Sequence, residues 1–314
     1  MHCEVVDGNN SFWIQLLTES EQCNPFMFEE HLDAIGYRSH KVICIQAGKV
    51  VGGMCLPFEK DSNEITRVPY APYQGILYGN ILGNQYEILK KQMEISEVLI
   101  TFIGETFKHY DICNHWSVYD CRAAQWYNYG EKSKPKIEIG MAYSAVKNIE
   151  TFDLTKENIS KRRWRDYVKS SQKYVNNCFE SQKTDAFLDC YIQTFKRQGI
   201  EISIEDEAIV KKISENALQH GYGKLYYIEN VNGEIMSALL MLYDKTKAYY
   251  MFGANLPEFR DTGAATQLML YAIAESKKMG LKYFDFVGAN SPHRGDFKLS
   301  FNAELKVYYT YKLQ

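Results

Sequence analysis

Three consecutive β-rich runs joined by two tight turns are the feature that most limits what this chain can fold into. They cover 224–229, 234–243 and 247–254. Val231-Asn232-Gly233 is a strong hairpin signal, because Asn-Gly tolerates the positive φ angles that short hairpin turns demand. Asp244-Lys245-Thr246 supplies the second turn. Such a meander has an apolar face that must be covered. Helical periodicity over 158–175, 184–198, 205–220 and 263–279 provides the cover. Gly280 sits at a helix C-cap position. A strand at 283–287, a short helix around 292–301 and a strand at 305–311 close the chain. The fold class expected is α/β, as a mixed α+β sheet with helices packed on it.

The first half mixes helical and β-rich stretches. A helix is expected over 10–20, and Pro25 fits the first turn of a second helical stretch. Strands at 42–47 and 50–58 flank Gly48. Arg67-Val-Pro-Tyr-Ala-Pro-Tyr-Gln-Gly75 must be a loop, since its prolines forbid regular pairing. A long helix over 84–108 and strands at 115–119 and 137–143 follow. With 314 residues the length suits two domains at roughly 100–200 residues each, expected as 1–150 and 151–314.

Composition excludes several classes. The net charge is −3, which argues against a protein that coats DNA or an anionic membrane. No apolar run is long enough to span a bilayer, and Met1-His2-Cys3-Glu4 lacks the basic start and apolar stretch of a secretory signal. The 8 cysteines have scattered spacings with no C-x-x-C pair, so they read as reduced thiols of a cytoplasmic protein. No metal is expected, because the His and Cys residues around 109–121 fit no zinc spacing.

Five groups of residues carry candidate chemistry. Arg260-Asp261-Thr262-Gly263-Ala264-Ala265 lies between a strand and a helix. Small residues there let a phosphate approach the backbone, the unpaired N–H groups of the helix start face it, and the helix dipole favours an anion. Asp285 stands among aromatic residues on a strand, where a carboxylate is either paired or raised in pKa; both suit a proton acceptor or substrate binder. Lys298 follows Phe297 on a short helix, with His293 and Asp296 nearby. Arg162, Arg165, Lys169 and Lys173 fall on one helix face, with Trp164, Tyr167, Val168 and Ser171 opposite, so a cationic stripe is expected to face outward for phosphate groups. Tyr70 and Tyr73, on the proline loop, are candidates for lining an acceptor groove, since tyrosine offers a large apolar body with a polar tip.

These residues resemble the FemABX-like branch of the GNAT acyltransferase superfamily. The resemblance rests on 260–265 with the helix after it, on Phe284-Asp285-Phe286-Val287-Gly288, and on Phe297-Lys298 followed by Phe301 and Ala303-Glu304. It extends to the loop at 68–75 and to Phe195-Lys196-Arg197-Gln198-Gly199, so Arg197 joins the candidate substrate-binding residues. The resemblance implies tandem GNAT-like domains facing a shared cleft, with the acceptor on the first and the donor on the second. It implies transfer of an acyl group to an amine of a sugar, amino acid or cell-envelope precursor. Arg260, Gly263 and Ala265 match the superfamily's R/Q-x-x-G-x-G/A turn, which holds pyrophosphate in members that use coenzyme A. The resemblance implies that Lys298 stabilises negative charge on the tetrahedral intermediate. An acyl-CoA donor suits the intact turn and the acidic balance of the chain; an aminoacyl-tRNA donor suits the basic stripe. A third expectation is a binding module with a GNAT-like shell and no catalysis.

Overall fold

The structure, a computed structural model, describes residues 1–62, 64–174 and 177–314, and the side chains of all of these except Tyr174 and His293. In chain order the elements are β1 (His2–Val6), α1 (Ser11–Glu19), α2 (Glu29–Ala34), β2 (Tyr37–Gln46), β3 (Lys49–Glu59), β4 (Gly75–Tyr78), α3 (Gln85–Phe107), β5 (Tyr110–Cys113), α4 (Arg122–Trp126) and β6 (Glu138–Asn148). Then come α5 (Lys161–Tyr174), β7 (Cys178–Ser181), α6 (Thr184–Arg197), α7 (Ile204–Gln219), β8 (Gly223–Glu229), β9 (Ile235–Tyr243), β10 (Lys247–Asn255), α8 (Ala264–Lys278), β11 (Tyr283–Asp285), α9 (Pro292–Leu299) and β12 (Glu304–Leu313). Two 3-10 turns, Pro25–Met27 and Pro257–Thr262, precede α2 and α8. Among the described residues no helix is long and apolar enough to cross a membrane.

The chain forms two compact units, Met1–Tyr143 with Val307–Gln314, and Ser144–Lys306. The division between Tyr143 and Ser144 falls inside β6, ahead of the one expected at 150, and the last eight residues return to the first unit. They do so because Thr310 to Leu313 pair antiparallel with the β5 strand.

In the first unit β1, β2, β3 and β4 form an antiparallel sheet in chain order. Gln46 pairs with Lys49 across the turn, where Ala47 and Gly48 both have positive φ, as a two-residue hairpin turn requires. A capping box starts α3, with Asn84 accepting from the Glu87 N–H and Glu87 accepting from the Asn84 N–H. The apolar stripe of α3, with Ile95, Leu99 and Ile103, joins Val42, Met54 and Ile76 in the core. The strand expected at 115–119 is not there. The strand is Tyr110–Cys113 instead, and His115 accepts from the Ser117 and Val118 N–H groups to close a turn. Tyr73 is also placed differently from expectation. It is 0% exposed and packs edge-on against Phe26, His115 and Tyr308. Its bulk serves the core of this unit and lines no groove. Tyr70 is half-buried with φ of 59°, and its carbonyl accepts from His31 Nε2. Burial holds the His31 imidazole neutral, with its pKa lowered to about 4.

In the second unit the expected meander is present. β7, β8, β9 and β10 pair antiparallel, β11 runs parallel to β10, and the end of β6 pairs antiparallel with β11. α8 buries Leu268, Met269, Ala272 and Ile273 on this sheet. β11 is shorter than expected because the chain turns at Val287, where φ is 50°. A β-branched residue at positive φ is a true outlier. Phe284, Phe286 and Phe301 fill the core beside it, with Phe286 stacked on Phe301 at 5.4 Å. Phe286→Ala should cost about 3–5 kcal/mol of unfolding free energy, read from the denaturant midpoint at unchanged m-value.

Candidate active site

The parallel pairing of β10 with β11 lasts only from Lys247–Tyr283 to Tyr249–Asp285. Beyond Tyr249 the strands part, and the register of β10 against β9 shifts between Tyr250 and Phe252, leaving Met251 as a bulge. Ligands of α/β sheets characteristically enter where parallel strands end, and bulges re-aim side chains beside such sites. Two adjoining cavities lie here, of about 870 Å³ and about 630 Å³. Both are within the size range of small-molecule sites, and Arg197, Tyr250, Arg260 and Phe297 line both.

The first cavity opens onto the turn before α8. Gly263 has φ of 85° and stands so close to α5 that an added Cβ would meet the Asp166 carbonyl oxygen at 2.2 Å. Glycine is therefore required twice, for conformation and for space. Thr262 Oγ1 donates to the Phe259 carbonyl at 2.6 Å and accepts from the Ala264 N–H at 3.2 Å. Thr262 thus shapes the turn, and its own hydroxyl already meets the Ala264 amide. Gly263, Ala265, Arg260, Arg162, Lys169 and Arg197 line the cavity together. The cationic stripe expected on α5 thus divides. Arg162 and Lys169 reach the cavity, with Lys169 also donating to the Asp261 carbonyl, while Arg165 and Lys173 lie exposed.

Arg163, absent from the sequence-based candidates, is the buried basic residue of this helix, at 7% exposure. It donates to Thr266 Oγ1 at 2.8 Å, pairs with Asp166 at 3.2 Å and lies over the Phe297 ring. Burial lowers its pKa against the opposing pull of Asp166. Arg163 and Ser170, which donates to Gln267, fasten α5 to α8. The packing face of α5 runs through Arg163, Tyr167 and Ser170, and Val168 is exposed.

Lys298 lines the second cavity from α9. Its Nζ donates to the carbonyls of Val287 and Gly288, the latter at 2.7 Å, and lies 5.7 Å from the Tyr250 ring centre. The positive φ of Val287 and of Gly288 belongs to the turn that presents both carbonyls, so backbone strain is spent on placing one ammonium. Burial lowers the Lys298 pKa to about 8; Asp285 opposes that shift and Arg294 adds to it. Asp285 is 0% exposed. Its Oδ1 accepts from Ser144 Oγ at 2.5 Å and from the Val287 N–H at 2.8 Å. The expectation that Asp285 serves as a substrate binder is corrected by this burial. Asp285 ends the strand, fixes the turn and supports the charge of Lys298. Asp296 lines the first cavity, and the side chain of His293 lies outside those described.

Arg294 and Tyr250 were missing from the sequence-based candidates. Arg294 is one helical turn before Lys298, over the Phe195 ring at 5.4 Å. Its spacing to Lys298 was the available signal. Tyr250 carried none beyond its place on a central strand. Gly263→Ala should destabilise the fold by about 1–3 kcal/mol through strain and the Asp166 approach. Chemical denaturation measures this; a loss within error of zero would contradict the packing described.

Comparison with known proteins supplies the context. Residues 158–298 match the family model described as an acetyltransferase (GNAT) domain. Among solved structures, FemX aligns with a TM-score of 0.67 at 13% identity, covering 98% of this chain and 97% of that one. L-PGS from Bacillus licheniformis aligns with a TM-score of 0.54 at 11% identity, covering 95% and 89%. A tandem GNAT protein from the clavulanic acid biosynthesis pathway aligns at 0.51 and 9%, covering 100% and 98%. No curated protein matches. At these identities the structural likenesses speak to fold. Residues 158–298 thus match a GNAT acetyltransferase domain, and the chain as a whole shares the tandem GNAT-like fold of these structures.

Proposed function

We propose that this protein is an N-acyltransferase that moves an acyl group from acyl-CoA to an amine of a sugar, amino acid or cell-envelope precursor. The observation that carries the reading is the first cavity, where Arg162, Lys169, Arg197 and Arg260 surround the Gly263 turn. Guanidinium groups and a helix N-terminus together suit the pyrophosphate of such a donor. The separated strands beyond Tyr249 leave room for the acyl arm to run toward Lys298.

The chemistry needs no covalent enzyme intermediate. The amine nitrogen attacks the thioester carbonyl carbon, and the carbonyl π electrons move to oxygen. Lys298 Nζ, as ammonium, stabilises that oxyanion. The intermediate then collapses, breaking the C–S bond. The nitrogen gives up its proton, and the sulfur leaves as thiolate. Holding the two reactants together supplies much of the rate.

A second reading, with an aminoacyl-tRNA donor, is favoured by exposed Arg165 and Lys173 on the same helix as Arg162 and Lys169. These would extend a phosphate track beyond the cavity. There the bond broken is an ester C–O, and binding would fall steeply with salt. Replacing Arg162, Arg165 and Lys169 together separates the two. Loss confined to RNA binding and its salt dependence favours the tRNA donor; loss of coenzyme A binding favours acyl-CoA. A GNAT-like shell without catalysis would show turnover with neither donor.

Lys298→Ala should lower kcat by about 10²–10³-fold with the circular dichroism spectrum unchanged. Because Lys298 is charged below a pKa of about 8, oxyanion stabilisation is present below that pH and is lost as pH rises through it. Lys298→Arg should carry activity to higher pH, measured as kcat against pH. A profile identical in wild type and Lys298→Arg would remove Lys298 from the reaction.

A further inference from the structure

The second cavity poses an electrostatic problem for an amine acceptor. Its charged lining residues are Arg197, Arg260, Arg294 and Lys298, all cations, and no carboxylate lines it among the described residues. The carboxylate closest in role, Asp285, is buried behind the Val287 turn. Arg294 and Lys298 sit one turn apart on α9, so their charges repel across a short span. Arg294 rests on Phe195, and no acidic partner of its guanidinium appears among the ion pairs of the described residues. Alkylamines are cations in neutral water. A simple amine would therefore be repelled from this cavity.

Resting on the acyltransfer reading above, we infer that the second cavity takes the acceptor, and that this acceptor carries an oxyanion group, carboxylate or phosphate, on the same molecule as its amine. Arg294 is the residue that selects for it. The anion enters against the guanidinium groups, forms charge-assisted hydrogen bonds and brings the amine in with it. The aromatic walls, Tyr191, Phe195 and Phe252, exclude water and strengthen those bonds. The same positive surroundings then favour the neutral amine over the ammonium, because nearby like charge disfavours a cation. The cavity thereby prepares the nucleophile without a lining carboxylate base. The proton released goes to water, and Lys298 stays charged for the oxyanion.

The test is binding of matched probes to the full-length protein, so it does not require the natural acceptor. Phosphoethanolamine against ethanolamine reads the phosphate arm, and glycine against glycinamide reads the carboxylate arm, each by calorimetry. The expected result is that at least one anion-bearing probe binds about tenfold or more tightly than its partner. Arg294→Gln should abolish that preference. Lys132→Gln, which removes an exposed cation that lines neither cavity, controls for net charge and should keep it. Which arm responds assigns the oxyanion. The inference is overturned if the partners without the anionic group bind equally well, if no anion-bearing probe binds at millimolar concentration, or if Arg294→Gln keeps the preference. Coenzyme A binding, measured separately, reports on the donor reading, so the two can fail independently.

Discussion

The Asp285 carboxylate ends one strand where the candidate site begins. Its Oδ1 holds Ser144 on one side and the Val287 N–H on the other, so β11 cannot continue alongside β10. The parallel pairing stops after three residues, and the space beyond becomes the cavities. The same turn aims the Val287 and Gly288 carbonyls at Lys298 Nζ. One buried carboxylate thus does three things: it terminates pairing, holds a strained turn and supports an ammonium that burial would otherwise discharge more readily. A buried charge is tolerable only with such partners.

The cavity at the Gly263 turn depends on a second close approach. Gly263 lies against the Asp166 carbonyl, and the Arg163–Thr266 and Ser170–Gln267 hydrogen bonds keep α5 at that distance from α8. The packing brings Arg162 and Lys169 to the cavity containing Arg260. Packing and charge placement are therefore one arrangement: moving α5 away would take Arg162, Arg163 and Lys169 from the cavity.

Much of this was legible in the chain. Tight turns and alternating runs specified the meander, because hairpins and period-2 patterning are local signals. The Gly263 turn was legible because positive φ and a helix start leave small residues behind. Lys298 came through resemblance. What could not be read are side chains whose roles depend on partners distant in sequence. Arg163 looked like one more surface charge until Thr266 and Phe297 closed over it. Asp285 looked like a substrate ligand until Ser144, far along the chain, proved to occupy it. Tyr73 has the sequence setting of a groove-lining loop residue, yet the loop folds inward and buries it. The absent strand at 115–119 shows the same limit, since turn formation there uses the His115 ring and carbonyl.

The central claim is that the cations around Gly263 hold an acyl donor by its phosphates. Its most direct test is thermal unfolding of wild type and Arg260→Ala with and without coenzyme A, with adenosine as the phosphate-free control. At about 100 times the dissociation constant, ligand should stabilise the wild type by about 2.7 kcal/mol, with the shift reduced in Arg260→Ala and absent with adenosine. Equal shifts in both proteins, or none in either, would contradict the account.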